Sequence, residues 1–423
     1  MSTRRSAIVV IAVAFLAAAC GADSATSTTH RSAATSTSTS STVRRPGSVP
    51  TVPLGNQIGC STQTGQAPAL GQVQTHFVSG LLSPFGVAFS PDGTRAFMAA
   101  LVNPSTQPQN GPGHADGAIY EYEVTDAGLL SDRLAILQDG SPLGLTVSPN
   151  GRYLVAADGK GADVFSMSRI ADTTAPTASW LLGSFTSAGS GAIETVVSPD
   201  NDFVFVSMEG SSEIAVFNLE DALRHGFSAS DLVGYIPVGD LPVGLAISPD
   251  RRYLYATSES VTQTGSEGTL TTINLVEAER DPSKSIISTV WAGCNPVRVV
   301  ATASAVYVTA RASDELLEFS EQALSGDPTS ALTGQVRVGE APVDLAVVDR
   351  GKTLVVADSN RFSEGMSSNL ALVDIAPTGS LELAGYIVAG AFARDMTVSP
   401  NGQELIVSNY ASGQLEEILT NSL

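Results

Sequence analysis

This 423-residue chain predicts an all-β fold: a seven-bladed β-propeller of four-stranded antiparallel blades, closed by an N-terminal strand in the last blade. Three features carry that prediction. A motif ending in a Ser-Pro-Asp or Ser-Pro-Asn turn recurs along the chain, and each copy is followed by short β-branched or aromatic runs. The last copy has three strand-like runs, while an unclaimed one stands ahead of the first copy. The copies start at Pro84, Pro142, Ala192, Pro242, Pro296, Pro342 and Ala393. Their spacing of about 51 residues is that of a propeller or solenoid unit.

Within each unit the elements follow in a fixed order. An apolar first strand leads into the turn, as in Pro242-Val-Gly-Leu-Ala-Ile-Ser-Pro-Asp250. A second strand follows, as in Phe203-Val-Phe-Val or Leu405-Ile-Val, and then a third, as in Ile214-Ala-Val-Phe-Asn-Leu. A fourth strand runs into Val-Gly, as in Tyr235-Ile-Pro-Val-Gly239. Short strands joined by Gly, Pro, Asp and Asn turns describe a propeller blade. No helical period persists between units, which disfavours an α/β solenoid. The seventh unit ends after its third strand, Leu415-Glu-Glu-Ile-Leu. The segment Val73–Val78 is expected to pair there as the outer strand and cover an edge open to aggregation.

The pattern Gly-x-x-Pro-x-Gly-x-Ala-x-Ser-Pro-Asp, best seen from Gly239 to Asp250, resembles the YVTN-type repeats of bacterial surface propellers. It also resembles the seven-bladed lactonase-like propellers, over about residues 70–423. The resemblance implies the fold and raises lactone chemistry as an activity, although no catalytic motif can be matched residue by residue. The Trp-Asp dipeptide of another large propeller class is absent, since Leu follows Trp180 and Ala follows Trp291.

Residues 1–19 read as an export signal. Arg4 and Arg5 precede an uncharged run from Ala7 to Ala19, too short as a helix for a bilayer core of about 30 Å. The run ends Ala17-Ala-Ala-Cys20, which resembles the lipobox of exported bacterial lipoproteins, in which the cysteine is acylated. Ala17 stands where that pattern has Leu; the alternative is ordinary cleavage giving a soluble secreted protein. Residues 20–66 read as a disordered tether. Fourteen of the nineteen residues from Ser24 to Thr42 are Ser or Thr, and Pro46, Pro50 and Pro53 follow. Such a stretch buries too little apolar area to offset its ordering entropy. Residues 67–423 are assigned to the propeller.

Charge narrows the partners. Lys and Arg total 22 against 42 Asp and Glu, a formal charge of −20. Residues 67–423 alone carry 17 basic and 41 acidic side chains, a charge of −24. Such a domain does not grip nucleic acid and is repelled by anionic lipid, leaving the lipid anchor as its membrane contact. Gly-x-Ser-x-Gly, His-Glu-x-x-His and EF-hand signatures are absent, and no metal or cofactor is implied. Gly159-Lys160-Gly161 reads as a turn. Of the four histidines, His30 falls in the tether, His76 in the closing strand, His225 in a connection and His114 in an insertion.

The most informative column lies two places after the first residue of each repeat: Gly86, Gly144, Glu194, Gly244, Arg298, Asp344 and Asp395. Innermost strands converge on the ring axis, so this set is expected to surround one mouth of the central channel. Arg394 adds a charge where the other copies have an apolar residue. Glu194, Arg298, Asp344, Arg394 and Asp395 are the candidate binding residues, with carboxylates for a cation, sugar or base role and arginines for a carboxylate or phosphate. The alternative is that Arg298 simply neutralises its acidic neighbours. Insertions at 102–117, 258–268 and 358–368 are expected on the same face, bringing His114, Asp116, Arg361, Phe362 and Glu364 there. Outside the cytoplasm, Cys60 and Cys294 are expected to form a disulfide; the alternative is two separate thiols.

The resulting expectation is an exported, lipid-anchored, monomeric propeller that binds a protein, glycan or small-molecule ligand without turning it over. The alternatives are a lactonase-like hydrolase or isomerase with its site at the channel mouth, and a structural component of the cell envelope.

Overall fold

The computed structural model describes residue 60 and residues 62–423, apart from 72, 82, 102–116, 126–127, 138–141, 262–264, 362–367 and 377–378. The described strands form seven separate four-stranded sheets, every pairing antiparallel. Strand β1 (Thr75–Ser79) precedes the first repeat. Blade 1 holds β2 (Pro84–Phe89), β3 (Arg95–Leu101), β4 (Gly117–Thr125) and β5 (Gly128–Leu137). Blade 2 holds β6 (Leu145–Val147), β7 (Tyr153–Ala157), β8 (Gly161–Ser166) and β9 (Leu181–Thr186). Blade 3 holds β10 (Ala192–Val197), β11 (Phe203–Met208), β12 (Glu213–Asn218) and β13 (Leu232–Pro237). Blade 4 holds β14 (Asp240–Ile247), β15 (Tyr253–Ser260), β16 (Glu267–Asn274) and β17 (Ile286–Cys294). Blade 5 holds β18 (Pro296–Ala301), β19 (Ala305–Ala310), β20 (Glu315–Ser320) and β21 (Leu332–Arg337). Blade 6 holds β22 (Pro342–Val348), β23 (Thr353–Asp358), β24 (Asn369–Ile375) and β25 (Leu381–Val388). Blade 7 holds β26 (Ala393–Val398), β27 (Glu404–Asn409) and β28 (Gln414–Leu419), with β1 as its outermost strand.

The recurring Ser-Pro-Asp turn has a physical job. The Ser90, Ser148, Ser248 and Ser399 hydroxyls each accept the backbone N–H five residues on, at 2.9–3.0 Å. Each also donates to the Asp or Asn side chain two places later, at 2.6–2.9 Å. The turn residues thereby fix the register of the first strand pair. Apolar faces of neighbouring blades then pack on one another; Val155, Val164 and Phe185 of blade 2, for example, share a core with Val204, Val206 and Phe217 of blade 3.

Closure follows from β1. It pairs with β28 from Thr75 opposite Ile418 to Ser79 opposite Gln414, and His76 Nδ1 lies 3.1 Å from Glu417 Oε2. Ahead of β1 the chain is strapped across the outer strands. Cys60 is disulfide-bonded to Cys294, with Cα atoms 5.4 Å apart. Gly65 N–H donates to Val338 O at 2.7 Å, and Leu70 N–H donates to Tyr386 O at 2.7 Å. Cys60 and Gly65, inside the stretch read as a tether to residue 66, are thus held to the outer strands by the disulfide and by backbone hydrogen bonds.

Four short helices were not anticipated: α1 (Met167–Ala171), α2 (Leu219–His225), α3 (Leu275–Arg280) and α4 (Glu321–Ser325). They link the third and fourth strands of blades 2 to 5. None spans enough turns for a 3.6-residue period to show. Their only signal is the cap: Ser166, Asn218, Asn274 and Ser320 each accept a first-turn N–H.

Candidate functional site

Six of the seven inner strands carry a register shift at the start of the repeat motif, as between Ala192 and Thr195, Pro296 and Val299, and Ala393 and Asp395; β6 pairs without one. Such a bulge takes a residue out of the ladder and re-aims it. The residues at these shifts are those of the charged and glycine column. Around the ring, these residues and hydroxyls of the adjoining second strands stitch one blade to the next. Gly86 N–H donates to Leu143 O (3.2 Å) and Gly144 N–H to Ile193 O (2.8 Å). Ser207 Oγ donates to Val243 O (2.8 Å) and Thr257 Oγ1 to Val297 O (2.6 Å). At the last two junctions carboxylates replace carbonyls: Met396 N–H donates to Asp344 Oδ2 (2.5 Å), and Val87 N–H to Asp395 Oδ2 (2.9 Å). Glycine is required at 86, where an added Cβ would stand 2.3 Å from Leu143 O.

Arg298 joins the acidic members of this ring. From blade 5 its Nη2 lies 3.0 Å from Glu194 Oε2 in blade 3 and 3.3 Å from Asp395 Oδ1 in blade 7, while its Nε is 4.0 Å from Asp344 Oδ1 in blade 6. A guanidinium thus fills the position a cation would take. Among the described residues no group of three His, Cys, Asp or Glu is arranged to hold a metal ion. The side chains keep a sliver of surface, from 8% for Asp344 to 14% for Glu194. Nη1 of Arg298 has no partner among the described residues.

The electrostatics differ residue by residue. Burial works against the Arg298 charge, but Glu194, Asp395 and Asp344 hold its pKa above the usual arginine value. Burial, seconded by the like charge of Asp395, raises Asp344 well above the carboxylate range despite Arg298. Burial also raises Glu194 to about 7, with Arg298 opposing and Asp395 adding to the rise. Glu194 is the least engaged of the three. Besides Arg298, the one hydrogen bond its carboxylate accepts among the described residues is its neighbour's N–H, from Thr195 at 3.4 Å.

Arg394 is not part of this cluster. Its Cζ sits 3.7 Å from the centroid of Phe85, and 5.4 and 5.7 Å from those of Phe392 and Tyr410. Burial and the like charges of Arg298 and Arg361 push its pKa down to about 9. Phe392 holds its ring there from a left-handed backbone (φ 55°), as does each described residue that leads into an inner strand, Ser83, Gly191, Leu241, Asn295 and Ala341 among them. Arg361 also lies over Phe392, 5.4 Å from its centroid.

An upper tier of residues escaped the sequence reading. Arg311 Nη2 bonds Glu259 Oε2 at 2.8 Å. Burial and Glu259 raise Glu209, while Arg394, Arg311 and Arg361 oppose the rise, which places all five groups in one field. A signal existed: at or just past the ends of the second strands stand Asp158, Glu209, Glu259, Arg311, Ser359 and Tyr410, a largely charged column. Asn295 braces this tier, since its side chain donates to Glu259 O (3.2 Å) and its carbonyl accepts Arg311 N–H (3.1 Å), one residue from the Cys294 disulfide. His76 belongs to β1, and His225 ends α2 beside Asp221. Cys20, His30, His114, Asp116, Phe362 and Glu364 lie outside the described residues.

The fold and its mouth define a class, a seven-bladed propeller with a charged, two-tiered site on its axis. The chain belongs to the family described as "Lactonase, 7-bladed beta-propeller", whose model matches residues 56–361. No curated protein sequence matches the chain. Among solved structures it is similar to a chain of Kuenenia stuttgartiensis hydrazine synthase, with TM-score 0.60 and 16% identity over 84% of this chain and 100% of that one. It is also similar to a chain of the mitotic checkpoint complex, with TM-score 0.60 and 12% identity over 86% and 99% of the two. At such identities these likenesses show the fold alone.

Proposed function

We propose that the protein is a hydrolase of cyclic esters, exported and held outside the cytoplasm by a lipid on Cys20, with Glu194 as its general base. The observation that carries the reading is Glu194 itself: a lightly engaged carboxylate, raised to about 7, beside a guanidinium in the channel mouth of a lactonase-family propeller. A base with a pKa near the working pH is the most effective proton acceptor. Glu194 takes a proton from water as the water oxygen bonds to the ester carbonyl carbon. The carbonyl oxygen becomes an oxyanion, for which Nη1 of Arg298 is the unengaged donor. Collapse breaks the ring C–O bond, and the departing oxygen takes the proton from Glu194 to give a hydroxy acid. Asp344 and Asp395, bound to main-chain N–H groups, hold Arg298 in place.

A second reading is ligand binding without turnover. It is favoured by the same two aspartates, because each also serves as a blade-to-blade fastener. Proton release from a panel of five- and six-membered lactones decides between them. Hydrolysis that Glu194→Gln reduces at least a hundredfold, with an unchanged melting temperature, supports the enzyme. No turnover of any lactone supports the binding module.

A further inference from the structure

In six blades the position of Arg394 carries an apolar wedge, Phe85 and Val343 among them, and blade 7 alone carries a guanidinium there. Arg394 has no hydrogen bond and no ion pair with any described residue, and its Nε is buried without an acceptor. Its neighbour Asp395 is turned away, to Arg298 and to Val87 N–H. Of the upper-tier acids, Glu259 is taken by Arg311, and Glu209 shares a field with Arg394 without forming an ion pair with it among the described residues. Phe85 covers one face of the guanidinium at contact distance, and such a ring offsets only part of the cost of burying the charge. Arg394 is half-buried, with its Nε out of reach of water and its outer nitrogens open at the mouth, an arrangement that suits an oxyanion arriving from outside the protein.

We propose that Arg394 is an anion subsite that takes a carboxylate carried by the ligand on the edge of its guanidinium, with Phe392 and Tyr410 flanking the carbon that bears it. The proposal rests on the reading that the ligand enters this mouth, and it narrows the substrate class to cyclic esters with an acid group outside the ring. A carboxylate is favoured over a phosphate dianion because the domain carries a charge of −24 and sets further carboxylates at the same mouth, so a second negative charge is repelled.

Calorimetric binding of non-hydrolysable probes to the full chain tests this. The probes are cyclopentanecarboxylate, its neutral carboxamide and cyclopentylphosphonate. The carboxylate is expected to bind at least tenfold tighter than the amide and tighter than the phosphonate. Arg394→Gln is expected to erase the preference over the amide, and Arg394→Lys to keep part of it. Equal binding of acid and amide by the unaltered protein overturns the proposal, as does a preference that survives in a folded Arg394→Gln variant. Tighter phosphonate binding reassigns the subsite to phosphate and also overturns it. The two readings fail separately. Acid preference without lactone turnover sinks the hydrolase alone, and turnover indifferent to an acid group sinks the subsite alone.

Discussion

Arg298 and Glu194 meet across the channel, Nη2 to Oε2 at 3.0 Å, although they come from blades 5 and 3 and stand 104 positions apart in the sequence. The contact ties non-adjacent blades through the axis while leaving a carboxylate near the midpoint of its titration. In the proposed hydrolase, structure and chemistry share the same atoms, and their contributions can be separated by measurement.

Removing the guanidinium leaves three carboxylates crowded in a dry channel. Arg298→Met is expected to destabilise the fold at pH 7.5 by about 3–5 kcal/mol, the scale for breaking a buried ion pair. At pH 5 the loss shrinks, because Glu194, raised to about 7, is then protonated. Urea unfolding at the two pH values checks both statements.

The stability of the unaltered protein runs the same way. Glu194 and Glu279 are raised to about 7 and Asp163 to about 6, in each case by burial first. The native state then binds more protons than the unfolded chain between the ordinary carboxylate range and pH 7, so stability falls as pH rises through that window. The lowered carboxyls of Asp92 and Asp327 act only at more acidic pH. The urea midpoint is expected to be higher at pH 5 than at pH 7.5. Glu194→Gln should flatten the slope by up to roughly 3 kcal/mol.

Much of this was legible in the sequence. The seven turns and the missing fourth strand revealed the ring and its closure, because a closed ring repeats its local rules. The column from Gly86 to Asp395 contains the four residues, Glu194, Arg298, Asp344 and Asp395, that meet in the structure. What it could not reveal is reach. That Arg298 spans to blades 3 and 7, and that Arg394 instead lies on Phe85, depends on side chains crossing an axis with no counterpart in linear order. Glu209, Glu259 and Arg311 read as ordinary strand ends until the second-strand termini are aligned. The short helices were hidden by their length.

The strap offers a separate handle. The Cys60–Cys294 disulfide spans 234 residues and holds the segment that leads to β1. Replacing both cysteines with Ser is expected to cost about 2–5 kcal/mol. Hydrogen exchange should rise first across residues 62–79, ahead of the blade cores. Protection of that segment equal to the disulfide-bonded protein would show that the backbone hydrogen bonds suffice.

Closure predicts its own failure. A chain starting at residue 82 lacks β1 and exposes the edge of β28, where Glu416 and Glu417 are otherwise buried. It is expected to lose cooperative melting and to associate at micromolar concentration, which light scattering during a thermal ramp reads directly.

The central claim is that Glu194 works as a base tuned by its neighbours. The most direct measurement is kcat/KM against pH on the best lactone, for the unaltered protein and for Asp395→Asn. The account predicts an acidic limb with an apparent pKa near 7 that moves to lower pH in the variant, because the Asp395 charge helps to hold Glu194 up. A limb near the ordinary glutamate value, or one that the variant leaves in place, would contradict it.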